Sequence, residues 1–244
     1  MSRTPAPVIF EDNHLLVVDK PSGLATAHAD GDQESLDLLL KEWLRQRDAK
    51  PGNVFLGIVH RIDRPVSGVV LFAKTSKAAA RVGEQFREGT AQKTYWALVQ
   101  PAPAEDQGVM EDYLASGPGE RGGRRAWVTS AGDPEGKLAI TEWSVRKRLG
   151  KQAWVELHPK TGRTHQLRVQ LGTRGHPILG DDRYGASRRF DWGIALHARS
   201  LEITHPIDRG PRLFTSATPT DWLHAFGKGW NFPTNTKGMT RQNS

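Results

Sequence analysis

The chain has 244 residues, 37% of them apolar and 25% charged, a balance that suits a soluble globular protein. It contains no cysteine, so disulfides, thiolate metal sites and a cysteine nucleophile are excluded. A net charge of +7 and a pI near 9.8 favour a polyanionic partner, RNA or DNA ahead of a membrane surface.

In chain order, Val8–Lys20 reads as a β-hairpin turning at Glu11-Asp12-Asn13-His14. Pro21-Ser22-Gly23 is a turn. Leu36, Leu39, Leu40, Trp43 and Leu44 recur at helical spacing, which predicts a helix from Ser35 as N-cap to Arg47. Val69–Ala73 is a short apolar strand, far below the length of a membrane helix. Thr75 or Ser76 caps a second helix, with Val82 and Phe86 facing the core and Gly89 ending it. Thr94–Val99 is a strand, and Pro101–Gly108 a loop. Gly117–Gly136, rich in Gly and Arg, reads as an exposed loop or loose hairpin. Thr141, Trp143 and Val145 alternate with polar residues in a half-buried strand, partnered by Ala153–Leu157. Thr164–Arg174, capped at Thr164 and stopped at Gly175, is a helix with Leu167 and Leu171 turned inward. Ile194–Thr204 is a long strand. Hairpins, few helices and no regular strand–helix alternation make the fold class α+β. The pattern divides into an extension at residues 1–7, one domain at 8–227 and a polar tail at 228–244. Residues 1–7 lack the apolar block of a signal peptide, so a cytoplasmic protein is expected.

Three clusters carry chemistry. In His60-Arg61-Ile62-Asp63-Arg64-Pro65-Val66-Ser67-Gly68 one acid sits between two arginines, on a backbone narrowed by Pro65 and Gly68. Nearby positive charge favours the carboxylate anion, which can act as a nucleophile or stabilise developing positive charge. An isolated triplet of this kind also suits a surface salt-bridge loop. In Thr161–Arg168, a helix start with Arg163, His165 and Arg168 suits a phosphate or carboxylate. An amphipathic helix with a basic exposed face reads equally well. Lys93-Thr94-Tyr95-Trp96 opens a strand, where an aromatic can simply fill core.

Between Arg121 and Arg168 there are eleven Lys or Arg against four Asp or Glu, an excess equal to the whole chain's net charge. Trp127, Trp143 and Trp154 interleave with them, as suits phosphates and unstacked bases, although tryptophans also fill cores. His60, His158, His165, His176, His197 and His205 are scattered with no His-x-x-x-His pair, and no phosphate-cradling glycine loop occurs. No metal and no nucleotide cofactor is therefore expected.

Taken in order, these segments resemble the RluA family of RNA pseudouridine synthases. Ile9–Gly23 is similar to its N-terminal hairpin, and His60–Gly68 to its catalytic motif, usually H-R-L-D-R-x-T-S-G. Lys93-Thr94-Tyr95 resembles its K-x-Y motif. Gly162–Val169 and the turn Gly175–Asp181 resemble its third motif, and Leu196-His197-Ala198 and Thr204-His205-Pro206 continue the match to about Trp222. Val66 departs from the usual Thr and lacks a hydroxyl that could bond the loop backbone.

The resemblance implies the pseudouridine synthase fold, with a mixed, largely antiparallel central sheet flanked by helices and loops. It implies isomerisation of uridine in structured rRNA or tRNA, without a cofactor, by a protein taken to be a monomer. Asp63 would attack or stabilise the uridine as its glycosidic bond breaks. Tyr95 would lie against the base and help remove the carbon 5 proton. Arg168 would pair with Asp63. Arg61 would fill the gap left by the flipped nucleotide, and Arg64, Lys93, Arg163 and His165 would hold RNA. About seven residues precede the hairpin, too few for the small RNA-binding domain many members carry there. Two competing readings use the same residues, a non-catalytic RNA-binding protein and a metal-independent nuclease or glycosidase. A glycosidase of the usual kind needs two cooperating carboxylates, and the motifs supply one.

Overall fold

The computed structural model describes residues 4–27, 34–49, 51–120, 122–226 and 229–233. Residues 1–3 of the expected N-terminal extension, and all of the expected C-terminal tail but residues 229–233, fall outside them. In chain order the elements are β1 (Val8–Glu11), β2 (Leu15–Lys20), α1 (Leu36–Arg47), β3 (Gly57–Ile58), β4 (Ser67–Ala73), α2 (Ser76–Glu88), β5 (Gln92–Val99), β6 (Gln107–Pro118), β7 (Arg124–Thr129), β8 (Lys137–Leu149), β9 (Gln152–Pro159), α3 (Gln166–Thr173), β10 (Leu196–Thr204), β11 (Pro211–Thr215) and α4 (Thr220–Phe226). A single 3-10 turn, Asp182–Tyr184, follows α3. This is the α+β composition that the hairpins predicted. No helix among the described residues is long and apolar enough to cross a membrane.

The chain divides into two compact units. The first comprises residues 1–92, 198–220 and 232–244, the second residues 93–197 and 221–231. In the first unit β1, β2 and β4 pair antiparallel, with Lys20 opposite Gly68, and β3 lies beside β4. Strand β10 pairs antiparallel with β11. Leu15, Val17, Val69, Leu71 and Ala73 point to one face of the strands and pack with Ala78 and Val82 of α2 and with Leu201, Ile203 and Phe214. Leu16, Val18, Val70 and Phe72 alternate with them and are equally buried, so both faces of the β2–β4 pair are covered. Helix α2 is capped as predicted. The Thr75 hydroxyl accepts from the Ala78 amide, and Gly89 closes the helix at φ 75°. Ser35 has N-cap backbone geometry on α1, but its hydroxyl donates to Asp37 rather than capping an amide.

In the second unit the strand order is β5-β9-β8-β6-β7, antiparallel throughout. Helix α3 lies on it through Val169, which packs with Leu114, Ala126 and Ala139. Of the two readings of Gly117–Gly136, the structure takes the hairpin, because β7 forms within it and pairs residue for residue with β6. One segment differs from the pattern-based expectation. Helix α3 begins at Gln166 rather than after Thr164, because His165 adopts φ 52° and itself occupies the N-cap.

Candidate active site

The loop that carries Asp63 is held by the segment just after β2. The Thr26 hydroxyl donates to the Ile62 carbonyl at 2.7 Å and accepts from the Ile62 amide at 3.2 Å. The next three carbonyls are also bonded. Asp63's accepts from the Val66 amide, Arg64's from the Gly23 amide, and Pro65's from the Ser22 hydroxyl. Four successive carbonyls beside Asp63 thus have fixed donors, which leaves the loop backbone little freedom. Gly68 ends the loop at φ 116°, and a Cβ there would stand 2.2 Å from the Ala198 carbonyl oxygen of β10. Only glycine permits both the dihedral and the approach. Val66 is buried, and the loop carbonyls are served by other residues, so the missing threonine hydroxyl is not what holds this backbone.

Beneath the loop lies Lys20, whose side chain is fully buried. Its Nζ donates to the carbonyls of Pro21 (2.8 Å), Leu24 (2.6 Å) and Arg64 (3.2 Å). Three acceptors match the three N–H groups of an ammonium, one more than a neutral amine offers. Burial pushes the Lys20 pKa down to about 7, against the opposing pull of the Asp63 carboxylate. His60 is fixed as well. Its Nε2 accepts from the Leu71 amide at 2.9 Å, and its ring stacks on Phe86. Asp63 itself is half-buried between the exposed Arg61 and Arg64.

In the second unit Arg168 is almost completely buried and makes a two-point ion pair with Asp181, Nε to Oδ2 at 2.7 Å and Nη2 to Oδ1 at 2.9 Å. Its guanidinium also lies 5.1 Å from the centre of the Tyr184 ring. The Tyr184 hydroxyl accepts from the Ala126 amide at 3.0 Å and is hydrogen-bonded to His165 Nδ1 at 2.7 Å. Gly172 admits Tyr184 close to α3, since a Cβ there would come within 2.6 Å of the tyrosine's carbonyl oxygen. The same helix is anchored by amides. Gln170 donates to the Met110 and Ala139 carbonyls and accepts from Thr141 Oγ1, which in turn accepts from Gln166.

The eight residues singled out in the sequence fall on both units. Arg61, Asp63 and Arg64 belong to the first, and Lys93, Tyr95, Arg163, His165 and Arg168 to the second. Helix α3 is not the amphipathic helix with a basic exposed face that its cations allowed, because Gln166 through Leu171 are all buried. Nor do His165 and Arg168 share a helical face. His165 lies outside the helix, and Arg168 turns inward to Asp181. Arg163 is exposed and tethered by Nε to the Leu138 carbonyl. Lys93 is half-buried and donates to the Thr161 carbonyl at 3.0 Å. Burial and the charge of Arg163 bring its pKa down to about 8. Tyr95 is half-buried on β5 opposite Leu157.

The basic stretch is also less bare than its composition suggested. Arg148 pairs with Asp106, Lys160 with Glu142 and Arg168 with Asp181, and Arg121 lies outside the described residues. Of its three tryptophans Trp127 is exposed, Trp143 half-buried and Trp154 buried. Sequence reasoning had no role for Thr26, Lys20, Asp181 or Tyr184. Lys20 and Asp181 stood inside quoted motifs, but nothing in the pattern marked Thr26.

A family model described as RNA pseudouridylate synthase matches residues 14–173. The ribosomal large subunit pseudouridine synthase C of Vibrio vulnificus is 39% identical over 212 residues, covering 84% of this chain and 63% of that protein. The ribosomal large subunit pseudouridine synthase D of Zymomonas mobilis is 33% identical over 228 residues, covering 89% and 70%. Among solved structures, human RNA pseudouridylate synthase domain containing 1 superposes with a TM-score of 0.70 at 26% identity, over 98% of this chain and 93% of that one. Human RNA pseudouridylate synthase domain containing 4 gives 0.74 at 24% identity, over 90% and 91%, and shares the fold. The chain spans less than two thirds of the length of the first of these curated relatives. By the extent of these matches the chain belongs to the RNA pseudouridylate synthase family, the RluA family to which its motifs pointed.

Proposed function

We propose that residues 8–227 form a catalytic domain that isomerises uridine to pseudouridine in a structured RNA, with Asp63 as the essential carboxylate. The observation that carries this reading is the mounting of Asp63, on a loop whose four consecutive carbonyls are bonded by residues 22–26 and by the loop itself. A surface salt-bridge loop has no need of such rigidity, whereas a group that must meet a reacting carbon does. In the reaction the bond from ribose carbon 1′ to uracil N1 breaks and a bond from carbon 1′ to uracil carbon 5 forms. The proton leaves carbon 5 and N1 regains one, so atoms and electrons balance without a co-reactant. Asp63 acts on the uridine as the first bond breaks. Tyr95 lies against the base and assists the proton's departure, although an ordinary phenol pKa of about 10 makes it a weak base. Arg168 aims the carboxylate, and Arg61 takes the place of the extruded nucleotide. Extrusion costs roughly a few kcal/mol, least where the RNA is already looped. Phosphate contacts from Arg64, Lys93, Arg163 and His165 offset it.

Large-subunit ribosomal RNA is the substrate we favour, because the relatives named above carry that substrate in their names. The protein then works in the cytoplasm. Pseudouridine mapping of total RNA from cells with the gene, without it, and with Asp63→Ala in its place tests the reading. One or more uridines should lose the modification in both altered strains. Identical maps in all three would refute it, and full modification by Asp63→Ala would refute the role of the acid.

A further inference from the structure

The second unit holds a cleft of about 1020 Å³ to which none of the roles above has been given. Its aromatic wall is a stack. The rings of Phe190 and Trp192 lie 4.8 Å apart and nearly parallel, at 6°. Phe226 meets both edge-on from the side, at 5.7 and 6.3 Å, and so does not cap the end of the stack. The Arg188 guanidinium sits 5.3 Å from the centre of Phe190. The wall is seated firmly, because Gly180 at φ 90° gives Phe190 its place and a Cβ there would stand 2.5 Å from the ring. Lys151, Arg188 and Arg189 also line the cleft, all exposed, with Asp191 the one acid in the lining. Arg189 is 78% exposed, its contact with Asp182 a loose 3.6 Å.

We propose that this cleft binds a nucleotide of the RNA other than the reacting uridine, its base stacked on the aromatic wall at Trp192 and its phosphate held by Lys151, Arg188 and Arg189. The inference rests on RNA as the substrate and not on the role given to Asp63. The chemistry favours a nucleotide over an acidic peptide. Cations alone would serve either ligand, but a parallel ring stack beside guanidinium groups matches an unstacked base joined to a phosphate. Its acceptance would be largely indifferent to sequence, since every base has a π-face.

Binding of a fluorescein-labelled single-stranded oligouridylate of about twelve nucleotides, followed by anisotropy across a salt series, tests the proposal on the full chain. Trp192→Ala should weaken binding roughly five- to a hundred-fold, and Trp192→Phe should restore most of it. Arg188→Ala with Arg189→Ala should lower the slope of log affinity against log salt by up to about 0.7, the loss of one single-strand phosphate contact. Wild-type affinity and slope in both variants would overturn the proposal, as would polyglutamate competing as well as the oligouridylate. Free uridine monophosphate binding as tightly as the oligomer would overturn the assignment to RNA in favour of a mononucleotide site. Should Trp192→Ala fail to fold, the Phe variant decides. Its tryptophan quenching on titration with oligouridylate should be smaller than the wild type's, and identical quenching counts against the cleft. Asp63→Asn, measured in parallel, separates the two readings. Loss of isomerisation with oligouridylate binding retained keeps both, whereas unimpaired isomerisation would remove the role of Asp63 and leave the cleft standing.

Discussion

Arg168 and Asp181 meet through two hydrogen bonds at 2.7 and 2.9 Å, with both side chains almost wholly shielded from water. The pair engages Nε and Nη2, so the plane of the guanidinium is fixed by an acid 13 residues beyond it in a turn, not by the helix that bears it. Removing one partner of a buried pair strands the other's charge. Asp181→Ala should therefore cost on the order of 3–5 kcal/mol of stability. Asp181→Asn, which keeps one acceptor, should cost less. If Arg168 orients the catalytic carboxylate, kcat should fall in both variants with little change in RNA affinity, and Arg168→Ala should lower turnover by orders of magnitude. Urea unfolding and single-turnover kinetics make the check. Wild-type stability in Asp181→Ala would show that the pair bears no weight, and wild-type turnover in Arg168→Ala would end its assigned role.

Thr26 offers a finer test, because one hydroxyl serves both the carbonyl and the amide of Ile62, the residue before Asp63. Thr26→Val keeps the shape and removes both bonds, leaving buried backbone groups unpaired at a cost of about 1–3 kcal/mol. The position of Asp63 should then loosen, so kcat is expected to fall while KM stays near its original value. Thr26→Ser restores the hydroxyl and should restore the rate. A valine variant that turns over like the wild type would mean that the loop keeps its geometry without this clamp.

Gly68 should tolerate nothing larger. Alanine there meets the Ala198 carbonyl oxygen at 2.2 Å and must adopt φ 116°, so strand β4 or β10 has to move. Strain at a special dihedral combined with a backbone clash belongs to the severe class of substitutions, and Gly68→Ala should lose about 4 kcal/mol or more. Thermal unfolding measures this directly. A melting temperature within a few degrees of wild type would contradict the close packing of these strands.

How far the sequence could reach follows from where each signal lay. Helix α2 was legible because Thr75, Val82, Phe86 and Gly89 are local cues at fixed spacing, and the loop at Asp63 because its motif is contiguous. Strand β6 was not. Its apolar residues fall on both parities, with Met110 and Leu114 buried while Val109 is exposed, so the two-residue alternation that marks a strand is blurred. The cap of α3 was misplaced because a left-handed histidine at 165 has no sequence signature, whereas Thr164 has the look of a cap. Asp181, Tyr184 and Thr26 act across 13, 58 and 36 residues of chain, in contacts with Arg168, Ala126 and Ile62 that only the fold brings about. Pattern reading finds the residues that do chemistry more readily than those that hold them still.

Lys20 makes stability depend on pH in a way that can be isolated. Its pKa is about 7 in the folded protein against an ordinary 10.5, because the ammonium is buried. Below pH 7 both folded and unfolded chains hold the proton, and the cost of burying the charge is fully present. Between 7 and 10.5 the unfolded chain binds a proton that the folded chain has released, so stability rises with pH by at most about 1.4 kcal/mol per unit. Lys93, brought down to about 8, adds a contribution of the same sign above that value. Lys20→Met leaves the Pro21, Leu24 and Arg64 carbonyls without this donor and lowers stability at every pH. The informative quantity is therefore the slope. Urea unfolding at intervals from about pH 6 to 9.5 should give a curve for Lys20→Met that is flatter than the wild type's from pH 7 to 8, where Lys93 is still largely protonated. Parallel curves there would mean that the Lys20 amine keeps its proton in the folded state, with its three carbonyl acceptors outweighing the loss of solvent.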